Sequence, residues 1–435
     1  MNKKTPLTIK SSAQGERAAI GGYKPQYDEF ARCVYDCILD DSLEEIRVAD
    51  DEENVGKLDD ICYVTTDKVH AYQVKWTTAD HHITYNDFCD YLKGIVDGWR
   101  KLCVLYRNKT VVAHLLTNRK CSLQDRSIVN NAGKKIGGFN DFVTNVLPKL
   151  CVDDVVPTEW DDIIPKLKAS IGLKDEEWSH FWKSFVFTYG YKQEIIDVSN
   201  SMDDTRTEDI ITLNRLIQQL VASPDRIVQM TKDDIIATLK WDRRLKPLYD
   251  HNLSVSIYSY EPISDAIEQL NAKLANKTKG YIFLQGTPGS GKSTILTQWV
   301  KTIPNRSIRY YAFDFTDPSS NYNNDDSRGE SITFLADMVR MIDASGFKVK
   351  VKALPSKRDY DALKHKFYEQ LNKISEDYIK TGLPTVLVVD GLDHITREYV
   401  SCTQTLMCIL PTLRQKFYQM VLYLYLEVNI LTSYN

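Results

Sequence analysis

The segment Gly286-Thr287-Pro288-Gly289-Ser290-Gly291-Lys292-Ser293 constrains this chain more than any other, because of what flanks it. The apolar run Gly280–Gln285 leads straight into it, and a helical pattern from Ser293 to Val300 leads out. A strand that turns through glycines directly into a helix can wrap its backbone N–H groups around phosphates. Gly286, Gly289 and Gly291 permit that wrapping. Lys292 is placed to reach β- and γ-phosphates, Ser293 to ligate Mg2+, and Thr294 carries the motif into the helix. The sequence thus predicts an α/β module with a parallel sheet, binding ATP and Mg2+.

Thr385-Val-Leu-Val-Val-Asp390 supplies a matching strand: an apolar run, then a carboxylate at the end where a parallel sheet opens its ligand crevice. Asp390 is expected to hold the nucleotide's Mg2+. In the continuation Gly391-Leu392-Asp393-His394, Asp393 is placed to orient an attacking water, or else to cap the next helix. Ile308–Phe313 reads as a further strand, and Met420–Leu426 could be the next one in the sheet.

The N-terminal part carries a second pattern. Tyr27, Phe30, Val34 and Ile38 recur at helical spacing. Gly56–Val64 and Val69–Trp76 read as a hairpin around Thr65–Lys68, and Phe88, Leu92, Ile95, Trp99 and Leu102 mark another helix before the apolar strand Val111–Leu116. Gln73 and Lys75 are two apart, so they share a face, and either Asp59 or Asp60 on the neighbouring strand can point the same way. Hydrolysis of a phosphodiester needs a carboxylate-bound metal and a positive group beside it. Asp59, Asp60, Gln73 and Lys75 supply those parts, and Glu29 on the preceding helix could complete the metal shell.

A length of 435 residues suggests two or three domains. The expected division is a flexible tail at 1–20, a first domain at 21–225, a helical linker at 226–262 and a second domain at 263–435. The stretch from about 125 to 225 reads as mostly helical, with no assignable role. A net charge of −4 gives no global basic field, so any nucleic-acid contact must be local. The nine cysteines include no CxxC pair, which disfavours structural zinc and fits thiols in a reducing compartment. No secretory signal and no membrane-spanning run is found, so the expected location is cytoplasmic.

Residues Gly280–Thr294, Ile308–Phe313 and Val386–His394 together resemble a STAND NTPase, with a close likeness to the bacterial antiviral (AVAST) kind, which are relatives of NACHT proteins. Gly22–Tyr27, Lys57–Ile61 and Tyr72–Trp76 resemble the PD-(D/E)XK nuclease fold in the variant where Gln replaces the last acid. Such domains stand at the N-termini of some antiphage STAND proteins as double-strand DNA endonucleases. The resemblance implies that Asp59 or Asp60 is the metal acid, Gln73 takes the third motif position and Lys75 is the catalytic lysine. It implies double-stranded DNA as substrate, a homo-oligomer, no membrane, and a viral protein as trigger in full-length relatives. Those relatives continue into a C-terminal sensor region, which is expected to be absent here, leaving an NTPase module that is either truncated or a short version with no sensor of its own. Two other readings stay open: an ATP-dependent restriction or DNA-repair nuclease, and a non-catalytic ATP-dependent scaffold with a degenerate nuclease fold.

Overall fold

The computed structural model describes residues 12–48, 55–77, 81–125, 127–133, 135–192, 205–223, 229–251, 264–275, 280–282, 284, 286–287, 289–303, 307–312, 327–350, 353–354, 360–392 and 422–425. The chain falls into two compact units, Met1–Leu239 and Lys240–Asn435.

The first unit is built on a mixed six-stranded sheet. Its elements are α1 (Ser12–Leu39), β1 (Leu43–Arg47), β2 (Ile61–Thr65), β3 (Lys68–Lys75), α2 (Tyr85–Leu105), β4 (Thr110–Thr117), α3 (Ile163–Ile171), α4 (Asp175–Lys183), β5 (Phe185–Thr188), α5 (Thr205–Ala222), β6 (Gln229–Thr231) and α6 (Lys232–Thr238). The strand order is β5-β4-β3-β2-β1-β6. β3, β4 and β5 run parallel, and the remaining pairs are antiparallel. α1 starts at Ser12, inside the stretch expected to be a flexible tail, where Ala13, Glu16, Arg17, Ala18 and Ala19 are all good helix formers. Of the 226–262 stretch, β6 and α6 belong to the first unit, and residues from Lys240 onward to the second.

α2 is the anchor of this unit. Thr84 and Asp87 form a reciprocal capping box at its start, satisfying N–H groups that the helix itself leaves unpaired. Its buried face, Phe88, Leu92, Ile95, Trp99 and Leu102, joins Val69, Ala71, Val111, Ala113 and Leu115 of β3 and β4 in one core. The 125–225 stretch completes that core with Phe139, Phe142, Trp160, Phe181, Trp182 and Phe185. Gly98 of α2 lets the turn before β2 approach closely, since a Cβ there would lie 2.3 Å from the Val55 carbonyl oxygen.

Strand parity sends other side chains to the opposite face. Tyr63 stacks on His70, Tyr72 stacks on His114 with ring centroids 4.0 Å apart, and His70 Nδ1 lies 3.1 Å from His114 Nε2. α1 and α5 pack together through polar bonds, Tyr35 to Asp209 and Asn214 to Asp28, both 2.5 Å. The described cysteines carry no disulfide.

The second unit holds a four-stranded parallel sheet in the order β7-β10-β9-β8. Its elements are α7 (Ser264–Ala275), β7 (Gly280–Ile282), α8 (Lys292–Lys301), β8 (Ser307–Tyr311), α9 (Ser331–Ala344), α10 (Tyr360–Thr381), β9 (Thr385–Asp390) and β10 (Leu422–Tyr425). Every residue of β9 is buried. Val386 and Val388 pack with Leu296, Trp299 and Val300 of α8, while Leu387 and Val389 pack with Phe334, Met338 and Phe367 of α9 and α10. Helices thus cover both faces, which is why this strand reads as an unbroken apolar run.

The histidine pair makes the first unit acid-sensitive. Burial holds His70 down to about 4 and His114 to about 3, from an ordinary 6.5. Between those limits the unfolded chain binds more protons than the folded one, so stability is complete above about pH 6.5 and declines as pH falls towards 4. Thermal unfolding followed from pH 7 to 4.5 should show a falling midpoint, and His114→Phe, which keeps the stacking on Tyr72, should flatten the decline.

Candidate functional site

The antiparallel register pairs Ile61 with Tyr72, so the residue before β2, Asp60, falls opposite Gln73. Asp59 and Asp60 were expected on the strand itself; the strand begins at Ile61, and both precede it. The Asp60 carboxylate accepts hydrogen bonds from Gln73 Nε2 at 2.5 Å and the Val74 backbone N–H at 2.6 Å, and its other oxygen from Gln26 Nε2 of α1 at 3.0 Å. Burial pushes the Asp60 carboxyl above its ordinary value, opposed by the Val74 and Gln73 donors and by Lys75. Asp60 and Lys75 open on one cavity of about 700 Å³, with Tyr23, Trp76, Tyr91 and Arg119 among its walls. Asp59 stands beside Asp60 in sequence but is not part of the cavity wall. Gln73 is buried behind Asp60 and fixes it.

Glu29 has another role. Both its oxygens are taken by the guanidinium of Arg32, three residues on, and one of them also by the Tyr191 hydroxyl at 2.6 Å. Among the described residues, no group of three or more His, Cys, Asp or Glu side chains is placed to hold a metal ion. The expected shell of Asp59, Asp60 and Glu29 is therefore not assembled. Asp60 alone still fits Mg2+, which commonly takes one or two carboxylates and fills its other positions with water and substrate phosphate. A cation facing this carboxylate would also offset the cost of burying its charge.

Sequence reasoning missed Gln26, Tyr91, Trp76 and Arg119 as parts of this cavity. Arg119 follows β4 closely, and β4 runs parallel beside β3, so Arg119 and Lys75 emerge at the same end of the sheet.

In the second unit the glycine loop joins β7 to α8. Gly289 and Gly291 have φ of 76° and 81°, the left-handed region open to glycine. The Lys292 ammonium donates to the carbonyls of Gly286 and Thr287, both at 3.0 Å, so it lies along the inside of the loop. Ser293 and Thr294 form the first turn of α8. Ser290 N–H closes the loop onto Thr287 O at 3.1 Å. A loop whose N–H groups precede a helix N-terminus suits a phosphate, so these residues fit the nucleotide they were read for. Asp390, at the C-terminal end of β9, is buried and accepts the Gly391 N–H at 2.8 Å. Pro288 and Asp393 lie outside the described residues.

Tyr311 of β8 pairs in register with Asp390. Its hydroxyl lies 3.4 Å from Thr297 Oγ1 of α8, and its backbone N–H donates to His251 Nδ1 at 3.1 Å. With Nδ1 accepting, His251 presents Nε2–H to the fully buried Asp337, 3.2 Å away. His251, in the stretch expected to be a linker, is thus held by β8 and α9.

Residues 266–422 match the model of the family described as Nephrocystin 3, N-terminal. The match takes in the glycine loop, β8 and Asp390, and hints at a NACHT/STAND-like NTPase region. No curated protein matches the chain. No helix among the described residues is long and apolar enough to cross a membrane.

The loop's geometry sets a steric test. A Cβ on Gly286 would lie 2.6 Å from Ser290 Oγ and 3.4 Å from Lys292 Cδ. Gly286→Ala should therefore make the Ser290 hydroxyl turn away and crowd Lys292, and in a loop that holds nucleotide it should weaken ATP binding measurably in calorimetry. Unchanged affinity would mean that the Ser290 side chain absorbs the added methyl group.

Proposed function

We propose that the first unit is a Mg2+-dependent endonuclease for double-stranded DNA and that the second is a STAND-type ATP-binding module controlling it through self-assembly, in defence against phage. One observation carries the nuclease reading: Asp60 bonded to Gln73, with Lys75 two residues along β3 and open to the same cavity. The defence role and the viral trigger rest on the sequence resemblance. The match over residues 266–422 supports the NTPase part.

In this reading Asp60 would hold the ion, which when bound would polarise a phosphoryl oxygen. Gln73 and the Val74 N–H keep the carboxylate aimed at the cavity. Lys75 supplies positive charge where the phosphate gains negative charge, and can orient the attacking water. In the other unit the glycine loop and Lys292 bind the triphosphate, and Ser293 and Asp390 would hold its ion. Asp393 is the proposed orienter of the hydrolytic water.

Plasmid cleavage with Mg2+ tests the first unit. Asp60→Ala and Lys75→Ala should each lower cutting by about a hundredfold or more while DNA binding changes little. Cutting by Lys75→Ala at the wild-type rate would remove the site. A scaffold would show no cleavage in the wild type either, and dependence on methylation or damage would favour a restriction or repair enzyme.

Nucleotide control is tested separately. Lys292→Ala should lose ATP binding in calorimetry with the fold intact, because the β- and γ-phosphates lose their compensating charge. It should also cut DNA less than the wild type at equal concentration. Full cutting by a variant that no longer binds ATP would leave the nuclease standing without a nucleotide switch.

A further inference from the structure

Arg119 and Tyr91 are cavity-wall residues to which the proposed chemistry gives no role. Tyr91 lies on α2, with its ring partly buried against the core, and Lys75 Nζ sits over that ring, 5.5 Å from its centroid. The Tyr91 hydroxyl accepts from Arg119 Nη1 at 3.2 Å. Arg119 Nη2 donates to Asp87 Oδ2 at 2.9 Å and to the His82 carbonyl at 2.6 Å, and its Nε donates to the His81 carbonyl at 3.3 Å. Asp87 is the capping-box residue of α2.

An arginine in such a cavity invites the reading of a phosphate clamp. The geometry opposes it. All three guanidinium nitrogens are already donating within the protein, Asp87 offsets the charge, and the side chain is 15% exposed. Its partners converge on one task, which is to fix the Tyr91 ring and the backbone at His81 and His82.

We propose that Tyr91, held by Arg119, is a positioning residue that fixes the ammonium of Lys75 above its ring. This rests on the nuclease reading of Asp60, Gln73 and Lys75. A lysine carries its charge on a flexible four-carbon stem, and a misplacement of about 1 Å can cost roughly a hundredfold in rate. An aromatic face attracts an ammonium without taking its proton or occupying its hydrogen-bond donors. The ring therefore restricts where Lys75 lies and leaves its N–H groups for the phosphate and water. α2 suits the purpose, being capped at its start and buried along Phe88, Leu92 and Ile95.

The test uses the full chain, supercoiled plasmid and Mg2+. Tyr91→Leu should lower kcat about tenfold to a hundredfold with DNA affinity within about twofold of wild type. Tyr91→Phe keeps the ring and should stay within about threefold. Arg119→Met breaks the same hydrogen bond as Tyr91→Phe, so it should lower kcat by a similar amount and leave DNA binding unchanged, whereas loss of a phosphate clamp would weaken DNA binding. A second readout does not need turnover. With 13Cε-labelled lysine, the Lys75 resonance, assigned by its loss in Lys75→Arg, should carry an upfield ring-current shift. Tyr91→Leu should abolish that shift and Tyr91→Phe should retain it. Tyr91→Met makes the same comparison if Tyr91→Leu does not fold. An unchanged Lys75 resonance and unchanged kcat in Tyr91→Leu, with Lys75→Ala inactive, would overturn this proposal alone. Wild-type cutting by Lys75→Ala would instead overturn the nuclease reading beneath it.

Discussion

A buried carboxylate organises the first unit. Asp60 cannot leave water cheaply unless donors meet it, and the donors come from two separate elements: β3 gives Gln73 Nε2 and the Val74 N–H, and α1 gives Gln26. Meeting that one group's need sets where α1 crosses the start of β2 and how β3 presents its last residues. Close packing of the turn against Gly98 holds the preceding segment in place. The cavity and the placement of Lys75 follow from this arrangement, and so does the orientation of the residues opposite.

The two units share one geometric rule although their sheets differ. In each, the chemistry-bearing groups cluster where parallel strands end. Lys75 is the last residue of β3 and Arg119 follows the end of β4; Asp390 is the last residue of β9, and the glycine loop follows β7. Parallel strands aim their C-terminal ends the same way, and the loops leaving them have no sheet partners to satisfy, so their side chains and backbone can turn to a ligand. In the first unit the antiparallel β2 contributes from its opposite end, its beginning, which is why Asp60 meets Gln73 there.

What could be read from sequence was whatever depends on local repetition. The apolar run of β9, the helical spacing of α2 and the alternation of β3 each follow from burial on one face or two, and the structure places them within a few residues of expectation. The pairing of Asp60 rather than Asp59 with Gln73 was not readable, because it depends on a register set by Ile61 and Tyr72. Glu29 reads as a candidate metal ligand from its position on α1, but Arg32 at i+3 lies within reach on the same face and takes both its oxygens. β6 has three residues, too short to show alternation. Gln26 and Arg119 reach the cavity through contacts far apart in sequence, which no periodicity encodes.

The strand order of the second unit has a consequence for synthesis on the ribosome. β7, which carries the glycine loop, pairs with β10, and β10 in turn with β9. β8 and β9 can join once the chain has been made through Asp390, but β7 must wait for Tyr425. At typical elongation rates the interval between making β7 and making β10 is on the order of ten seconds. Through that interval Ile282, buried in the finished sheet, lacks its neighbouring strand. A nascent chain therefore exposes the edge of β7 that β10 later covers, and the hazard of wrong pairing between neighbouring chains on one message is greatest then.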